Sequence, residues 1–449
     1  MLCGCEVKDY TEPSTAIFES KHHSVPRGVY HVSSTPSPYV QSYLNESSQQ
    51  RLIESNRREY GHLYDLLNFA SPEQLVAANA ERNELLQWLD KRACFGYAGT
   101  KVDCSGLSPG CRHCGDGDWS CLFISGRCNG RCFYCPTAQD DDGPPVTNGM
   151  AFSSPEEYAE YVAVLGFSGV SISGGEPLMT PDLTLAYLSA VRRRCGDDVH
   201  LWLYTNGTLL TADLCSRLKD AGLNEIRFDL GAVRYHLKKL RLAVGCIPTV
   251  TVEIPAVPED EELLKLKMVE MSEAGVNHLN LHQMRLTPFN FGPLVERRYT
   301  FLHGEKVTVL ESELCALRAV RFGLAQGIPL PVNYCSFPYK RRFQSAAARR
   351  RAALAVCVPG ETVTESGYLR TISASTVRYT EVAFLQNPSY RYPFEKIVIE
   401  TGRALYMERR PVTQEVELSA DELVALEGSH APERIACFEK VESGLAVYF

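Results

Sequence analysis

Short apolar segments alternate with amphipathic segments through the middle of the chain. The apolar runs are typical of buried strands and occur at 122–126, 169–177, 199–207, 223–231, 247–257 and 276–288. Between them, apolar residues recur at helical spacing, as in PEEYAEYVAVLGF and PDLTLAYLSAVRRRC. This alternation predicts an α/β fold with a parallel sheet covered by helices. Six such units predict a partial (β/α)6 TIM-like barrel, with its chemistry at the C-terminal ends of the strands.

The segments on either side of this barrel have other patterns. Residues 1–36 lack clear periodicity and predict an irregular arm, whereas 37–93 are helical, with Ser71 as an N-cap and Pro72 at the first helical position. We therefore divide the chain into four parts. These are an irregular arm and helical region (1–95), a cysteine-rich metal-binding loop (96–121), the barrel (122–335) and a small, β-containing C-terminal α+β domain (336–449).

Charge and composition narrow the functional classes. The net charge of −8 argues against general nucleic-acid binding, which normally needs a basic surface. No apolar run reaches the length of a membrane span, and the start MLCGCEVKDY has no signal-peptide core, so we expect a cytoplasmic protein without a membrane partner. The cytoplasm is reducing, so the clustering of several of the 17 cysteines favours metal or redox chemistry over disulfides.

The loop directly after the first predicted strand is CNGRCFYC, residues 128–135. It offers the three thiols of Cys128, Cys132 and Cys135 at C-x3-C-x2-C spacing. A closed 4Fe–4S cluster needs four cysteines, so three would leave one iron open, as a catalytic zinc keeps an open position. The alternatives are a three-ligand zinc site and three packed core thiols.

Together with a second motif, this loop resembles the signature of the radical S-adenosylmethionine (radical SAM) superfamily. The C-x3-C-x-aromatic-C pattern has Tyr134 in the aromatic place. The second motif is GGEP, from Gly174 to Pro177, at the end of the second predicted barrel strand. The resemblance covers residues 118 to about 335, nearly half of the chain.

The resemblance implies the cofactors and their contacts. Cys128, Cys132 and Cys135 would bind three irons of a 4Fe–4S cluster, and SAM would chelate the fourth through its amino and carboxylate groups. The four residues of the GGEP motif would lie around the methionine ammonium group of SAM. They are Gly174, Gly175, Glu176 and Pro177. Glycine lets a backbone approach closely and Glu176 offers a negative charge to a cation. The backbone of Tyr134 would lie near the adenine.

The reaction implied by the resemblance begins with an electron from an external donor of flavodoxin or ferredoxin type. Reductive cleavage of SAM would then give a 5′-deoxyadenosyl radical, which would abstract hydrogen from a substrate. The cofactor carries this step, and no catalytic residue is assigned beyond the cofactor ligands. The substrate (peptide or protein, small metabolite, or RNA) and the choice between hydrogen abstraction, methyl transfer and rearrangement stay open.

Polar residues at two further strand ends are weaker candidates for SAM contacts. The third strand ends in YTNG, so Thr205 and Asn206 are expected to face SAM, and Asp229 near the end of the fourth strand is expected to contact the ribose. The alternatives are a turn at Asn206–Gly207 and a capping carboxylate at Asp229. Glu253 in the fifth strand is a less favoured candidate.

A second cysteine group precedes the barrel. It contains Cys104, Cys111, Cys114 and Cys121. Within it, CRHCG has the C-x2-C-G form of a metal knuckle, and four thiolates complete a tetrahedral zinc or mononuclear iron site, or hold a cluster. The alternative is a loop without metal. We expect a second metal or iron–sulfur site here, one that supports the reaction or conducts electrons.

Basic residues near the end of the barrel raise the question of an anion site. The helix PYKRRFQSAAARRRAALA spreads its charge around its circumference, which favours a solvated helix over an anion site at the barrel mouth. His282 and Arg285 are expected either to face substrate or to be structural. Two rival functions remain, namely a zinc-knuckle nucleic-acid module and a degenerate barrel that only binds or transfers electrons.

Overall fold

The computed structural model describes residues 50, 52–357, 359, 361–363, 367–375, 395–400, 404–409 and 434–441. The predicted irregular arm and the strand-like piece at 376–385 lie outside these residues. None of the helices in the described part of the chain has both the length and the hydropathy of a bilayer-spanning segment.

Seven parallel strands form the centre of the fold. They are β2 (Trp119–Phe123), β5 (Gly169–Ser173), β6 (His200–Thr205), β7 (Glu225–Phe228), β8 (Thr249–Pro255), β9 (His278–His282) and β12 (Val332–Cys335). Each is paired in parallel with the next in this order. Antiparallel strands extend both ends: β1 (Lys101–Val102) pairs with β12, and the hairpin β3 (Val146–Thr147) and β4 (Met150–Ala151) pairs with β2. The order β1-β12-β9-β8-β7-β6-β5-β2-β3-β4 is open, so the predicted α/β partial barrel is confirmed.

Helices fill most of the connections between these strands. The helices are α1 (52–60), α2 (Pro72–Asp90), α3 (Pro109–Asp116), α4 (Pro155–Val164), α5 (Pro181–Cys195), α6 (Ala212–Asp220), α7 (Glu261–Glu273), α8 (Phe291–Glu296), α9 (Leu310–Ala325) and α10 (Ser345–Val356). The 3₁₀ turns Leu230–Val233 and Leu240–Leu242 join β7 to β8. A π-helical turn, Tyr339–Gln344, leads into α10, and this pair corresponds to the predicted basic helix.

The remaining strands form three smaller units. The strands β10 (Phe301–Leu302) and β11 (Thr308–Val309) pair antiparallel after α8. Towards the C-terminus, β13 (Glu361–Val363), β14 (Tyr368–Ser375) and β17 (Arg434–Val441) form one antiparallel sheet, and β15 (Glu395–Glu400) pairs with β16 (Ala404–Arg409). These strands fit the predicted β content after residue 336, while the domain boundary itself stays a prediction.

Three helices begin with the same serine–proline signature. The pairs are Ser71–Pro72, Ser108–Pro109 and Ser154–Pro155, and each serine side chain accepts a hydrogen bond from the third helical amide. The serine satisfies an otherwise free backbone donor, and proline has no amide hydrogen to satisfy there. The cap at Ser71 was predicted. The helix at Ser108 was not, because the glycines and cysteines that follow indicated an irregular loop.

The two faces of the parallel sheet differ in polarity. On one face, side chains such as Leu201, Leu203 and Val252 are fully buried in the main apolar cluster. The helices α4, α5, α6, α7 and α9 contribute apolar residues to the same cluster. The residues between them on β6 and β7, including Trp202, Glu225 and Arg227, face the inside of the barrel. The interior is therefore a polar space that needs partners for its buried charges.

Helix α3 supplies those partners. The amide of Gly110 donates to Glu225 Oε2 at 3.0 Å, and Arg227 Nη2 donates to Ser108 Oγ at 3.0 Å. The backbone of α3 comes so close that a Cβ on Gly110 would lie 2.4 Å from Arg227 Nη2. Part of the predicted cysteine-rich loop is therefore a helix seated inside the barrel.

Arg227 is the central charge of this interior. It is 1% exposed, and it donates to Glu225 Oε1 at 2.8 Å and to Glu253 Oε2 at 2.6 Å. Burial raises the pKa of Glu225, but Arg227 and His200 outweigh that effect and hold it well below its usual range. The guanidinium thus keeps two carboxylates ionised away from water.

Removing this charge is expected to be costly. Arg227→Met leaves Glu225 buried without its main counter-charge, so we expect it to lower the free energy of unfolding by about 3–5 kcal/mol. Arg217→Met is the matched control, because Arg217 pairs with Asp182 on the surface, with 46% and 85% of the two side chains exposed. It should cost less than about 1 kcal/mol. Urea denaturation of both variants checks this, and similar losses in the two would contradict it.

Candidate functional site

The cysteine loop after β2 gathers its thiols around Gly130. The amide of Gly130 donates to Cys128 Sγ at 3.2 Å. A Cβ on Gly130 would lie 3.3 Å from Cys128 Sγ and 3.8 Å from Cys132 Sγ, so both sulfurs converge on this glycine. The amide of Cys135 donates to the carbonyl of Cys132 at 3.0 Å, and its thiol interacts electrostatically with the other two. The structure therefore brings together the three predicted thiols.

The surroundings of these three thiols disfavour free thiolates and are better suited to thiolates bound to iron. Burial raises the pKa of Cys128, and it raises that of Cys132 to about 12, with a further contribution from Asp229. Thiolates are the metal-binding form, and the positive charge of bound iron would offset this penalty. Three half-buried thiols on one loop are suited to three irons of a 4Fe–4S cluster.

The glycines of GGEP pair with the backbone that leads into this loop. The amides of Gly175 and Glu176 donate to the carbonyls of Ser125 at 2.8 Å and Arg127 at 2.7 Å. Gly174 has φ +134°, and a Cβ there would lie 2.3 Å from the oxygen of Ser125. On Gly175, a Cβ would lie 2.1 Å from the oxygen of Arg127. The structure shows these glycines packed against the segment that leads into the cysteine loop, and their contact with SAM stays a prediction.

Glu176 ties the ends of two strands together. Its carboxylate is 2% exposed and accepts hydrogen bonds from the Leu178 amide at 2.9 Å, Thr205 Oγ1 at 2.8 Å and the Asn206 amide at 2.7 Å. Burial raises its pKa, and these donors oppose that rise. Pro177 follows at the start of a 3₁₀ turn, Pro177–Met179. The second motif and the end of β6 therefore form one unit.

Asn206 extends this unit to the cysteine loop. Its Nδ2 donates to Asn129 Oδ1 at 2.8 Å and lies 4.0 Å from Cys128 Sγ. Its Oδ1 accepts from the Thr208 amide at 3.0 Å, which fits the predicted turn. The structure thus places Thr205 and Asn206 beside the motif residues, and their contact with SAM stays a prediction. Asn129 was missed, although it lies within CNGRC.

Tyr134 and Asp229 form a further contact of the cysteine loop. The hydroxyl of Tyr134 donates to Asp229 Oδ1 at 2.8 Å, and its backbone carbonyl accepts from Asn290 Nδ2 at 3.0 Å. Burial raises the pKa of Asp229 to about 6, and the Tyr134 hydroxyl opposes this. Asp229 also caps the turn Leu230–Val233, as the alternative interpretation expected. Asn290 carries no motif that would have marked it.

The two candidate substrate residues, His282 and Arg285, lie at the end of β9 and just after it. Burial and the nearby Lys340 lower the pKa of His282 to about 3, so this imidazole is neutral. Arg285 lies 5.8 Å from the ring centroid of Phe337. Glu253 is held by Arg227, which accounts for its side chain structurally. A substrate role for His282 and Arg285 stays a prediction.

The four cysteines of the predicted second site do not form one group. Cys111 and Cys114 lie on α3, Cys121 lies on β2, and Cys104 lies against Gly96. In the described part of the chain, no three cysteine, histidine, aspartate or glutamate side chains are grouped to hold a metal ion. A four-thiolate zinc site needs its thiols grouped around one ion. An iron–sulfur cluster does not need this, because each cysteine binds a different iron. The structure does not show the second metal site.

Comparison with known proteins decides the family. Residues 122–245, which include the cysteine loop and GGEP, match the family model of the radical SAM superfamily. The chain is a radical SAM superfamily enzyme. Its family implies SAM, a 4Fe–4S cluster and a source of electrons, and the loop described above fits that cluster.

The known proteins that match this radical SAM enzyme align with different shares of its sequence. A Methanocaldococcus jannaschii protein, named as a candidate glycyl-radical enzyme activating enzyme, is 29% identical over 275 residues, which is 59% of this chain and 72% of the relative. The GTP 3′,8-cyclase of Desulforamulus reducens is 29% identical over 165 residues, 36% of this chain and 48% of the relative. The structure of Streptococcus suis SuiB bound to S-adenosylmethionine matches with a TM-score of 0.38 at 13% identity over 68% of each chain. A score this low carries no argument about function.

The close backbone contact at Gly175 predicts a loss of iron. Gly175→Ala forces the motif away from Arg127, so we expect the reconstituted variant to hold much less iron and sulfide than the parent. Gly292→Ala is the matched control, because nothing lies within 4 Å of a Cβ at that position. Iron and sulfide analysis after anaerobic reconstitution checks this. Full cluster content in Gly175→Ala would show that the contact is dispensable.

The raised pKa of Asp229 predicts a pH-dependent stability. Its folded-state pKa of about 6 exceeds the ordinary 3.8, so its contribution to stability is present at low pH and is lost as pH rises through 6. Asp229→Asn cannot ionise. We therefore expect the variant to gain stability relative to the parent between about pH 4 and 7. Urea denaturation of the cluster-free protein checks this, with the exposed Asp198→Asn as a control expected to show no such gain.

Proposed function

We propose that this radical SAM enzyme binds a 4Fe–4S cluster through Cys128, Cys132 and Cys135, cleaves SAM reductively and abstracts hydrogen from a substrate. The observation that carries the proposal is the bonding of the GGEP backbone to the residues just before Cys128. The two motifs are thereby fixed against each other, as a site that holds a cluster and its SAM together requires.

When bound, the cluster and SAM would supply the radical chemistry, with Cys128, Cys132 and Cys135 as the iron ligands. The residues of the chain would hold and orient these cofactors. Glu176, anchored by Thr205 and the Asn206 amide, presents a fixed negative charge suited to the methionine ammonium group. Asp229 and Tyr134 hydrogen-bond to each other, and we assign the ribose to Asp229 and the adenine to the Tyr134 backbone.

The substrate class is proposed from the relatives. The match to the candidate activating enzyme covers 59% of this chain, against 36% for the GTP 3′,8-cyclase named above. We therefore favour a peptide or protein substrate over a small metabolite. We further propose a cytoplasmic enzyme that takes its electron from a flavodoxin or ferredoxin. The nucleic-acid module is not favoured, because the segment read as a zinc knuckle is instead a helix inside the barrel.

Loss of any one thiol of the loop tests the proposal. Cys128→Ala, Cys132→Ala and Cys135→Ala should each abolish formation of 5′-deoxyadenosine, because each removes an iron ligand. The measurement is chromatography of anaerobic reactions with SAM and dithionite, which needs no knowledge of the substrate. Cys195→Ala, in the last turn of α5, is the matched control and should cleave SAM normally. Cleavage that survives in the loop variants would refute the assignment.

A further inference from the structure

The segment that follows β7 carries basic residues without acidic ones. Residues 230–252 contain no aspartate or glutamate, although the whole chain has 54 acidic residues against 46 basic ones. The local charge is therefore opposite to that of the chain. We call 234–241 the basic segment, and its basic residues are Arg234, His236, Lys238, Lys239 and Arg241. Neither cluster binding nor SAM binding, as proposed above, uses them.

Buried side chains hold the basic segment so that its cations face outward. Tyr235, Leu237 and Leu240 are 2%, 5% and 0% exposed, whereas Arg234 and Lys238 between them are exposed. Arg234 and Tyr235 have φ +52° and +59°, a left-handed backbone that residues other than glycine adopt only at a cost. Such backbone persists where the surrounding packing holds it, and it is concentrated at functional sites.

The outward cations are not balanced by acidic partners. Within the described residues, no carboxylate forms an ion pair with Arg234, Lys238 or Arg241. By contrast, the surface residue Arg217 pairs with Asp182. A solvated surface normally mixes charges of both signs, so a surface with cations alone is suited to a partner of negative charge.

The basic segment lies beside the cysteine loop. Lys239 Nζ donates to the carbonyl of Leu210 at 2.7 Å, and Lys239 Cβ lies 3.7 Å from where a Cβ on Gly207 would be. The next residue, Thr208, accepts a hydrogen bond from Asn129 Nδ2 of the cysteine loop at 2.9 Å. The turn after β6 therefore joins the basic segment to the loop.

A hollow of about 400 Å³ lies between the basic segment and this turn. Its lining includes the apolar Phe228 and Leu230 as well as Lys238 and Asn206. Asn206 Nδ2 also lies 4.0 Å from Cys128 Sγ. A single side chain thus stands between the hollow and a proposed cluster ligand.

The hollow opens on the outer face of the sheet. Phe228 lines it and belongs to the apolar cluster beneath the helices, whereas the neighbouring Arg227 points into the barrel. Chemistry on a substrate is expected at the C-terminal ends of the strands and not on this outer face. A partner bound here is therefore better placed to deliver electrons than to be the substrate.

We propose that the basic segment, together with the exposed Arg131 of the cysteine loop, is the docking surface for an acidic protein that carries single electrons. The carrier loses one electron to the cluster, and no proton or group is transferred. This rests on the proposed function, which needs an electron from outside the chain. Electron-transfer contacts are small and guided by complementary charge, which the cations around the hollow supply.

Binding of a carrier tests the surface without relying on activity. The reconstituted full-length protein is titrated with oxidised flavodoxin, an acidic carrier, by biolayer interferometry at low and high salt. Lys238→Glu and Arg241→Glu should each weaken binding, and the double variant should raise Kd about ten-fold, because attraction becomes repulsion. The difference should shrink at high salt, which screens exposed charges.

Lys91→Glu is the matched control for the single variants, because it makes the same charge change at an exposed lysine. Lys91 follows α2, which runs parallel to α9 since Glu81 pairs with Arg318 and Glu84 with Arg321. Helix α9 ends before β12 begins, so Lys91 lies at the edge of the barrel opposite the cysteine loop. Its Kd for flavodoxin should equal that of the parent.

The choice of reductant separates this proposal from the proposed function. With reduced flavodoxin, the Lys238→Glu/Arg241→Glu variant should form 5′-deoxyadenosine about ten-fold more slowly than the parent. With excess dithionite, a small reductant that needs no docking surface, the two rates should agree. No cleavage by the parent with dithionite would refute the proposed function, while the binding data would still decide the surface.

Equal Kd values for the parent and the double variant would overturn the docking surface alone. Unchanged flavodoxin binding, combined with loss of binding to a mixed-sequence single-stranded RNA, would overturn it in favour of a nucleic-acid site. If the double variant fails to hold a cluster, Lys238→Gln/Arg241→Gln replaces it. That variant removes the attraction without adding repulsion, so a smaller rise in Kd is expected, and no rise would again overturn the proposal.

Discussion

The site depends on how the carboxylate of Glu176 is held. A buried carboxylate is tolerated only when hydrogen bonds replace water, and here the donors come from the turn after Glu176 and from the end of the next strand. Because the neighbouring amides of Gly175 and Glu176 bond to the segment before Cys128, the same residue fixes three strand ends at once. The relative position of the cysteine loop and the second motif follows from this pairing, not from the loop alone.

The same rule governs the barrel interior at a larger scale. Arg227 balances Glu225 and Glu253, and its Nη2 group donates to Ser108 at the start of α3. Removing one member would leave another charge unpaired, so the helix and the strands are held as one network. Strand pairing forms the sheet of the barrel, whereas ion pairs and hydrogen bonds hold helix α3 inside it.

Sequence patterns predicted the repetitive parts of this molecule and missed those set by tertiary contact. The sequence periods located six of the seven parallel strands and missed β12 as a seventh, and Ser71 marked its helix correctly. Helix α3 was missed although Ser108–Pro109 carries the same signature, because its stability comes from Glu225 and Arg227, more than a hundred residues away. The roles of Asn129 and Asn290 depend on packing that no local pattern encodes.

The two thiol groups differ in where the fold places their sulfurs. In the loop after β2, the sulfurs of Cys128 and Cys132 converge on Gly130, and the carboxylates of Glu176 and Asp229 lie near them. Cys111 and Cys114 instead lie on α3 inside the barrel, near Arg227, Lys101 and Glu253, and burial raises the pKa of Cys114. Spacing alone made both groups look like metal ligands. Tertiary position separates them, because among the described residues the second group is divided between α3, β2 and the segment packed on Gly96.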